Sequence, residues 1–211
     1  QHGPWAQAPV ALPVARLGQL DNALQRHAVR VLLEEAGVPI SSRLIRRICG
    51  GLHAHGFHHR VAGVVIGVDR GYLFVVRNAN YHGTCVDGWL LPPWGARLTS
   101  DLRAPSDGGI PPTASGVAFD ANALHLPLLV RPWAKGDVIR SFGDGGRRRV
   151  GDLFTDLKIP RPLREAWPVV THGDELVWVV GIRRSTFAPV LQDTETMKVI
   201  EFDGALLEPA Y

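Results

Sequence analysis

The stretch Gly145-Gly146-Arg147-Arg148-Arg149-Val150-Gly151-Asp152-Leu153-Phe154-Thr155-Asp156-Leu157-Lys158-Ile159-Pro160-Arg161 decides how this chain is read. Val150, Leu153, Phe154 and Leu157 fall at i, i+3, i+4 and i+7, the apolar stripe of a short amphipathic helix that Pro160 and Pro162 end. Leu163 to Trp167 predicts one further helical turn. On both sides the pattern turns to strand. Val117-Ala118-Phe119-Asp120 and Leu126 to Arg131 precede the helix, and Met197 to Phe202 is a last strand. Between them, Trp167 to Val170 and Leu176 to Val180 flank a turn at His172-Gly173-Asp174, which spells a hairpin. One central helix among more strands makes this half α+β.

Working back towards the N-terminus, residues 79–116 are rich in Gly and Pro and read as a connector, with short strands at Trp89-Leu91 and Arg97-Leu102. Before it, Val64-Val65-Ile66 and Tyr72 to Val76 have strong β propensity around a turn at Asp69-Arg70-Gly71. Two helices precede that hairpin. Leu20, Ala23, Leu24, His27, Ala28, Val31 and Leu32 recur at helical spacing, with Asp21 or Asn22 as cap and Gly37 with Pro39 as stop. Leu44, Ile45, Ile48 and Leu52 stripe a second helix capped by Ser41 or Ser42, and Arg43, Arg46 and Arg47 lie on its opposite face. That face is either a solvated surface or a phosphate contact. Residues 1–18, rich in Pro and Ala, read as loosely ordered. The expected organisation is a helical module with a hairpin at 12–78, a connector at 79–116, and an α+β, barrel-like domain at 117–205.

Composition agrees with a globular protein. Of 211 residues 45% are hydrophobic and 20% charged, which argues against wholesale disorder. No apolar run reaches the ~20 residues that cross a bilayer, and no signal pattern opens the chain, so a cytoplasmic location and no membrane partner are expected. Cys49 and Cys85 fit reduced thiols better than a disulfide framework. Gln1 is not an initiator Met, so a processed chain or a piece of a longer one is expected.

The net charge is only +3, but it is unevenly spread. Residues 1–70 and 131–187 each carry +4, residues 71–130 carry −1, and residues 188–211 carry −4. From residue 140 to 164 there are seven Lys and Arg against three Asp. A glycine-rich turn running through three arginines into a helix N-terminus offers backbone N–H groups and bidentate guanidinium donors to a phosphate. A solvated basic loop is the bland alternative. The expected contacts are Lys135, Arg147, Arg148, Arg149, Lys158, Arg161 and Arg164, with Arg131, Arg140 and Arg183 as either contacts or internal ion-pair partners.

The order R-P-x-x-x-G-D from Arg131, G-x-G-G-R-R-R-V-x-D-L-F-x-D-x-K-I-P-R from Gly143, R-x-x-W-P-V-V from Arg164 and V-W-V-V-G-I-R-R from Val177 closely resembles the C-terminal domain of tRNA(Ile)-lysidine synthetases. The likeness runs from Leu128 to about Val190. Residues 12–76 loosely resemble that family's middle, substrate-binding domain. Departures at Val138-Ile139 and Ser141-Phe142-Gly143-Asp144 concern one loop. The resemblance implies a family that ligates lysine to the wobble cytidine of an isoleucine tRNA, with ATP and Mg held in an N-terminal PP-loop domain. It also implies a fold similar to a domain of phenylalanyl-tRNA synthetase. The S-G-G-x-D-S phosphate loop of the PP-loop domain is not spelled in this sequence. Gly145-Gly146 is followed by Arg147 and Gly108-Gly109 by Ile110. The expectation is therefore a non-catalytic chain that holds tRNA, has no cofactor of its own and partners a separate catalytic domain. The alternative from another class is an interaction or interdomain scaffold whose basic loops cover an acidic partner surface.

Other constellations carry less. His53, His55, His58 and His59 break helical spacing at Gly56 and have no nearby Cys or carboxylate, so a polar helix end entering a hairpin is preferred to a metal site. Asp152 and Asp156, four apart, are read as a cap or arginine partner rather than a catalytic pair. His172 is read as part of an exposed turn, and Trp133, Trp167 and Trp178 as core rather than base-stacking platforms.

Overall fold

A computed structural model describes residues 11–54, 56–77, 83–84, 89–91, 96–141 and 146–203. They form two compact units, and the split does not follow the chain in one cut. Residues 11–77 and the segment Ile159–Ala166 lie in the first unit, whereas the rest of the described residues lie in the second.

The first unit opens with strand β1 (Ala11–Pro13) and helix α1 (Val14–Gly18), where the sequence shows no local pattern. The reason is long-range: β1 is ordered by antiparallel pairing with β4 (Tyr72–Arg77), sixty residues later. Helices α2 (Asn22–Glu35) and α3 (Ser42–Gly51) follow. Asp21 Oδ1 accepts from the backbone N–H of Ala23 and Leu24, both at 2.8 Å, and Ser41 Oγ accepts from Leu44 N at 3.1 Å. These bonds satisfy donors that a helix start leaves unpaired. Gly37, at φ +63°, turns the chain out of α2.

Next comes a meander of β2 (His58–Val61), β3 (Val64–Asp69) and β4. Both of its turns have two residues with positive φ, Ala62-Gly63 and Arg70-Gly71, the backbone that matches strand twist in tight hairpins. The sheet order is β1-β4-β3-β2. Leu33, Ile48, Ile66 and Leu73 are fully buried in one core between the helices and this sheet. The histidine run enters the hairpin as the sequence reading expected, with His58 and His59 in β2, and His55 lies outside the described residues.

Ile159–Ala166, with a helical turn at Arg161–Arg164, packs on this meander. Asp69 Oδ2 accepts from Arg161 N at 2.9 Å, and Glu165 Oε1 takes Arg60 at 2.5 Å and His58 Nε2 at 3.5 Å. Pro162 sits over Gly67, where an added Cβ would come within 2.7 Å of the proline ring.

The second unit holds strands β5 (Gly83–Thr84), β6 (Trp89–Leu91), β7 (Ala96–Arg103), β8 (Gly116–Asp120), β9 (Leu128–Pro132), β10 (Val138–Arg140) and β11 (Arg147–Arg149), then helix α4 (Val150–Asp156). After them come β12 (Pro168–His172), β13 (Glu175–Val179), β14 (Arg183–Arg184) and β15 (Met197–Asp203). One sheet runs β11-β10-β13-β12-β9-β5, with β14 on β13, and another runs β6-β7-β15-β8. The α+β class read from the sequence is thus observed. Phe154 packs edge-on against Trp133 at 5.3 Å and tilted against Trp167 at 5.5 Å, and Trp167 Nε1 donates to Val180 O at 3.0 Å. Trp167 and Trp178 are core, as expected. His172 is not the exposed turn residue expected: its Nε2 accepts from Leu126 N at 3.0 Å and its ring lies 4.6 Å from Phe187.

Gly67→Ala should strain the Pro162 contact and destabilise the chain by about 1–3 kcal/mol, the usual cost of overpacking. Urea unfolding measures this, and an unchanged midpoint would show that the segment yields freely.

Candidate nucleic-acid interface

The three arginines of the basic stretch fold as a strand that leads directly into helix α4. Arg147–Arg149 is an edge strand, paired antiparallel with β10 so that Val138 faces Arg149, Ile139 faces Arg148 and Arg140 faces Arg147. Residues 142–145, including Gly145, lie outside the described residues. Strand alternation then divides the three arginines. Arg147 and Arg149 are exposed, whereas Arg148 is half-buried and donates from Nη2 to Asp156 Oδ2 at 2.6 Å. Asp156 is therefore an arginine partner, one of the two roles expected of it. Helix α4 has seven residues, and its first N–H, of Val150, is already given to Asp137 O at 3.0 Å. The cationic surface here is made of side chains more than of helix-end amides.

Arg131 is an internal partner. Its Nη1 and Nη2 meet Asp137 Oδ2 and Oδ1, each at 2.8 Å, and Nη1 also donates to Pro132 O at 3.0 Å. Asp137 Oδ2 further accepts from Ala134 N at 2.9 Å. The R-P-x-x-x-G-D pattern is thus a clamp around one loop, closed by Gly136 at φ +107°, which a side chain would strain. Lys135 stands exposed at the tip of that loop.

Arg140 is exposed, beside Arg147. Lys158 is exposed just past α4, at φ +55°. Arg183, in β14, is half-buried, and its Nε finds no partner among the described residues. Its neighbour Arg184 is buried, lies 5.4 Å from the Phe119 ring centre, and is shifted below the usual arginine range by burial.

Arg161 and Arg164 fall in the first unit. Arg161 is exposed. Arg164 donates from Nε to Ile159 O at 2.8 Å, and burial, opposed by Asp69 and reinforced by Arg161 and Arg70, moves it down from the usual arginine range. The candidate set is therefore divided between the two units. Lys135, Arg140, Arg147, Arg149 and Lys158 are solvent-facing in the second unit, and Arg161 in the first.

Sequence reading passed over a second cationic surface. Ala23, Arg26, His27, Arg30, Ser42, Ile45 and Arg46 line a groove of about 530 Å³ between α2 and α3. Of its cationic residues only Arg46 was read as a possible phosphate contact. The signal was present as Arg26 and Arg30 four apart on one helix, but which face of α3 they meet is set by tertiary packing. Among the described residues no cluster of three His, Cys, Asp or Glu could hold a metal, and no helix is long and apolar enough to cross a membrane.

Comparison with known proteins agrees with the motif order. Residues 128–200 match the family model described as the TilS substrate C-terminal domain. A tRNA(Ile)-lysidine synthase of Geobacter sulfurreducens is 32% identical over 117 residues, covering 56% of this chain and 22% of that protein. The Clostridium tetani tRNA(Ile)-lysidine synthase is 34% identical over 86 residues, covering 41% and 18% respectively. A solved structure, "Crystal structure of TILS C-terminal domain", superposes with a TM-score of 0.53 at 26% identity, covering 60% of this chain and 98% of that one. The chain thus spans about a fifth of the length of these curated relatives.

Asp137→Ala leaves the half-buried Arg131 guanidinium and Ala134 N without their acceptor, and should cost about 1–3 kcal/mol. Lys135→Ala, at the loop tip, should stay within about 0.5 kcal/mol. Urea unfolding of the two variants compares them directly, and equal costs would remove the clamp from the account.

Proposed function

We propose that this chain, whose residues 128–200 carry the TilS substrate C-terminal domain, is the tRNA-holding part of a tRNA(Ile)-lysidine synthase. The observation that carries the reading is the coincidence of that match with solvent-facing arginines on strand β11. Guanidinium groups are always charged and grip phosphate through two parallel hydrogen bonds. Arg147 and Arg149, on the same side of an edge strand, would contact successive backbone phosphates, with Arg140 and Lys135 extending the track. Arg148 would hold the strand against α4 through Asp156. In the first unit Arg161, and the α2–α3 groove with Arg26, Arg30 and Arg46, would supply further phosphate contacts.

The chemistry belongs elsewhere in this reading. Ligation of lysine to a wobble cytidine, with ATP and Mg, would be carried by a PP-loop domain whose phosphate loop this sequence does not spell. The residues present also do not fit that group. Gly146 leads into an edge strand of arginines and a seven-residue helix, not a buried strand followed by a glycine loop and a long helix. The partner of this chain would be an isoleucine tRNA, met in the cytoplasm.

Filter binding of an isoleucine tRNA at two salt concentrations tests the proposal. Affinity should fall steeply with salt, and each phosphate contact removed should lower the slope of log K against log salt by about 0.7–0.9. Arg147→Glu with Arg149→Glu should abolish most binding, and Arg26→Glu with Arg46→Glu should weaken it. Binding that ignores salt, or survives the first pair unchanged, would favour an interaction scaffold instead.

A further inference from the structure

A second groove, of about 260 Å³, opens at the end of the larger sheet of the second unit. It is lined by Val138, Arg140, Arg147, Asp174, Glu175 and Leu176. The fold explains the assembly. Arg140 and Arg147 are a cross-strand pair in the β10–β11 ladder, so their side chains share one face. Strand β10 also runs parallel to β13 through Ile139 and Leu176, which brings the acidic end of the β12–β13 turn to the same place. Two guanidinium groups and two carboxylates therefore line one cavity. None of the four is within ion-pair distance of another among the described residues.

That combination is unlike a plain phosphate track. A polyphosphate alone would meet two carboxylates, and like charges in a shared groove cost affinity. Opposite charges that line a cavity without neutralising each other suit a ligand that is anionic at one end and a hydrogen-bond donor at the other. A nucleotide whose base carries an exocyclic amino group is such a ligand: arginine takes the phosphate and a carboxylate accepts from the amino group. Val138 and Leu176 supply apolar surface for the flat part of the base. RNA is read most often at unpaired nucleotides, whose Watson–Crick edges are open.

We propose that this groove reads an unpaired, amino-bearing nucleotide of RNA, with Arg140 and Arg147 on its phosphate and Asp174 and Glu175 on the amino edge. The inference rests on the RNA-binding reading above and adds a base-selective site to it.

The test uses the full chain with short oligocytidylate, oligoadenylate and oligouridylate of equal length, followed by fluorescence anisotropy. These probes share their phosphates, but uridine bears a carbonyl oxygen where cytidine bears an amino group. The intact chain should prefer the cytidine and adenosine probes over uridine by roughly tenfold, the discrimination that well-placed base contacts give. Asp174→Asn with Glu175→Gln should erase that preference while strengthening oligouridylate binding. Equal affinity for all three probes in the intact chain would overturn the proposal. So would a variant that binds every probe more tightly in unchanged proportion, because the acids would then merely repel phosphate. An isoleucine tRNA serves as the control: its retention with no preference among the oligonucleotides sinks the groove alone, whereas failure to bind tRNA sinks the underlying reading.

Discussion

Asp137 ties together three elements of the second unit. Its carboxylate receives both terminal nitrogens of Arg131 at the end of β9 and the backbone N–H of Ala134, while its carbonyl takes Val150 N at the start of α4. Strand β10 begins at the next residue. The loop from Pro132 to Gly136, the register of the β10–β11 hairpin and the start of the helix therefore share one anchor. A charge-assisted, bidentate pair that is half-buried holds geometry better than an exposed one, because few waters compete for its lone pairs. Where Arg147 and Arg149 point follows from that register, and so the cationic edge depends on a residue that is itself acidic.

Much of this architecture was legible in the residues, because it rests on local pattern. The i, i+3, i+4, i+7 stripe of Val150, Leu153, Phe154 and Leu157 gave helix α4, and the Asp21 and Ser41 caps gave the starts of α2 and α3. The hairpin turns at Arg70-Gly71 and Gly173-Asp174 were visible for the same reason. What stayed hidden was made by distant partners. Ala11–Pro13 is a strand only because β4 is there to pair with it. Arg147–Arg149 looks like a loop by composition, since arginine has no strong β preference, and becomes a strand through β10.

The candidate surface divides along the same line. Composition found the basic stretch and set only Arg131, Arg140 and Arg183 apart as contacts or internal ion-pair partners, and the structure ranks its members by what each side chain already touches. Arg131 and Arg148 have carboxylate partners, Arg164 spends a donor on a backbone carbonyl, and Arg147, Arg149 and Lys135 face solvent. Strand alternation, a period of two, explains why neighbours in sequence differ in role. The acids of the β12–β13 turn were invisible as part of any site, since thirty residues separate them from Arg140 and only the parallel β10–β13 contact brings them close.

The placement of Ile159–Ala166 in the first unit has a consequence for how such a chain is handed on in evolution or cut in the laboratory. The eight residues are embedded in the stretch that matches the family model, yet Pro162 and Leu163 are buried in the body built from residues 11–77. A break between residues 77 and 116 therefore parts Ile159–Ala166 from the body in which it packs. Without that segment the earlier part would be left with an uncovered patch at Gly67. Keeping Ile159–Ala166 with residues 11–77 is the arrangement under which neither Pro162 nor the face at Gly67 is bared to water.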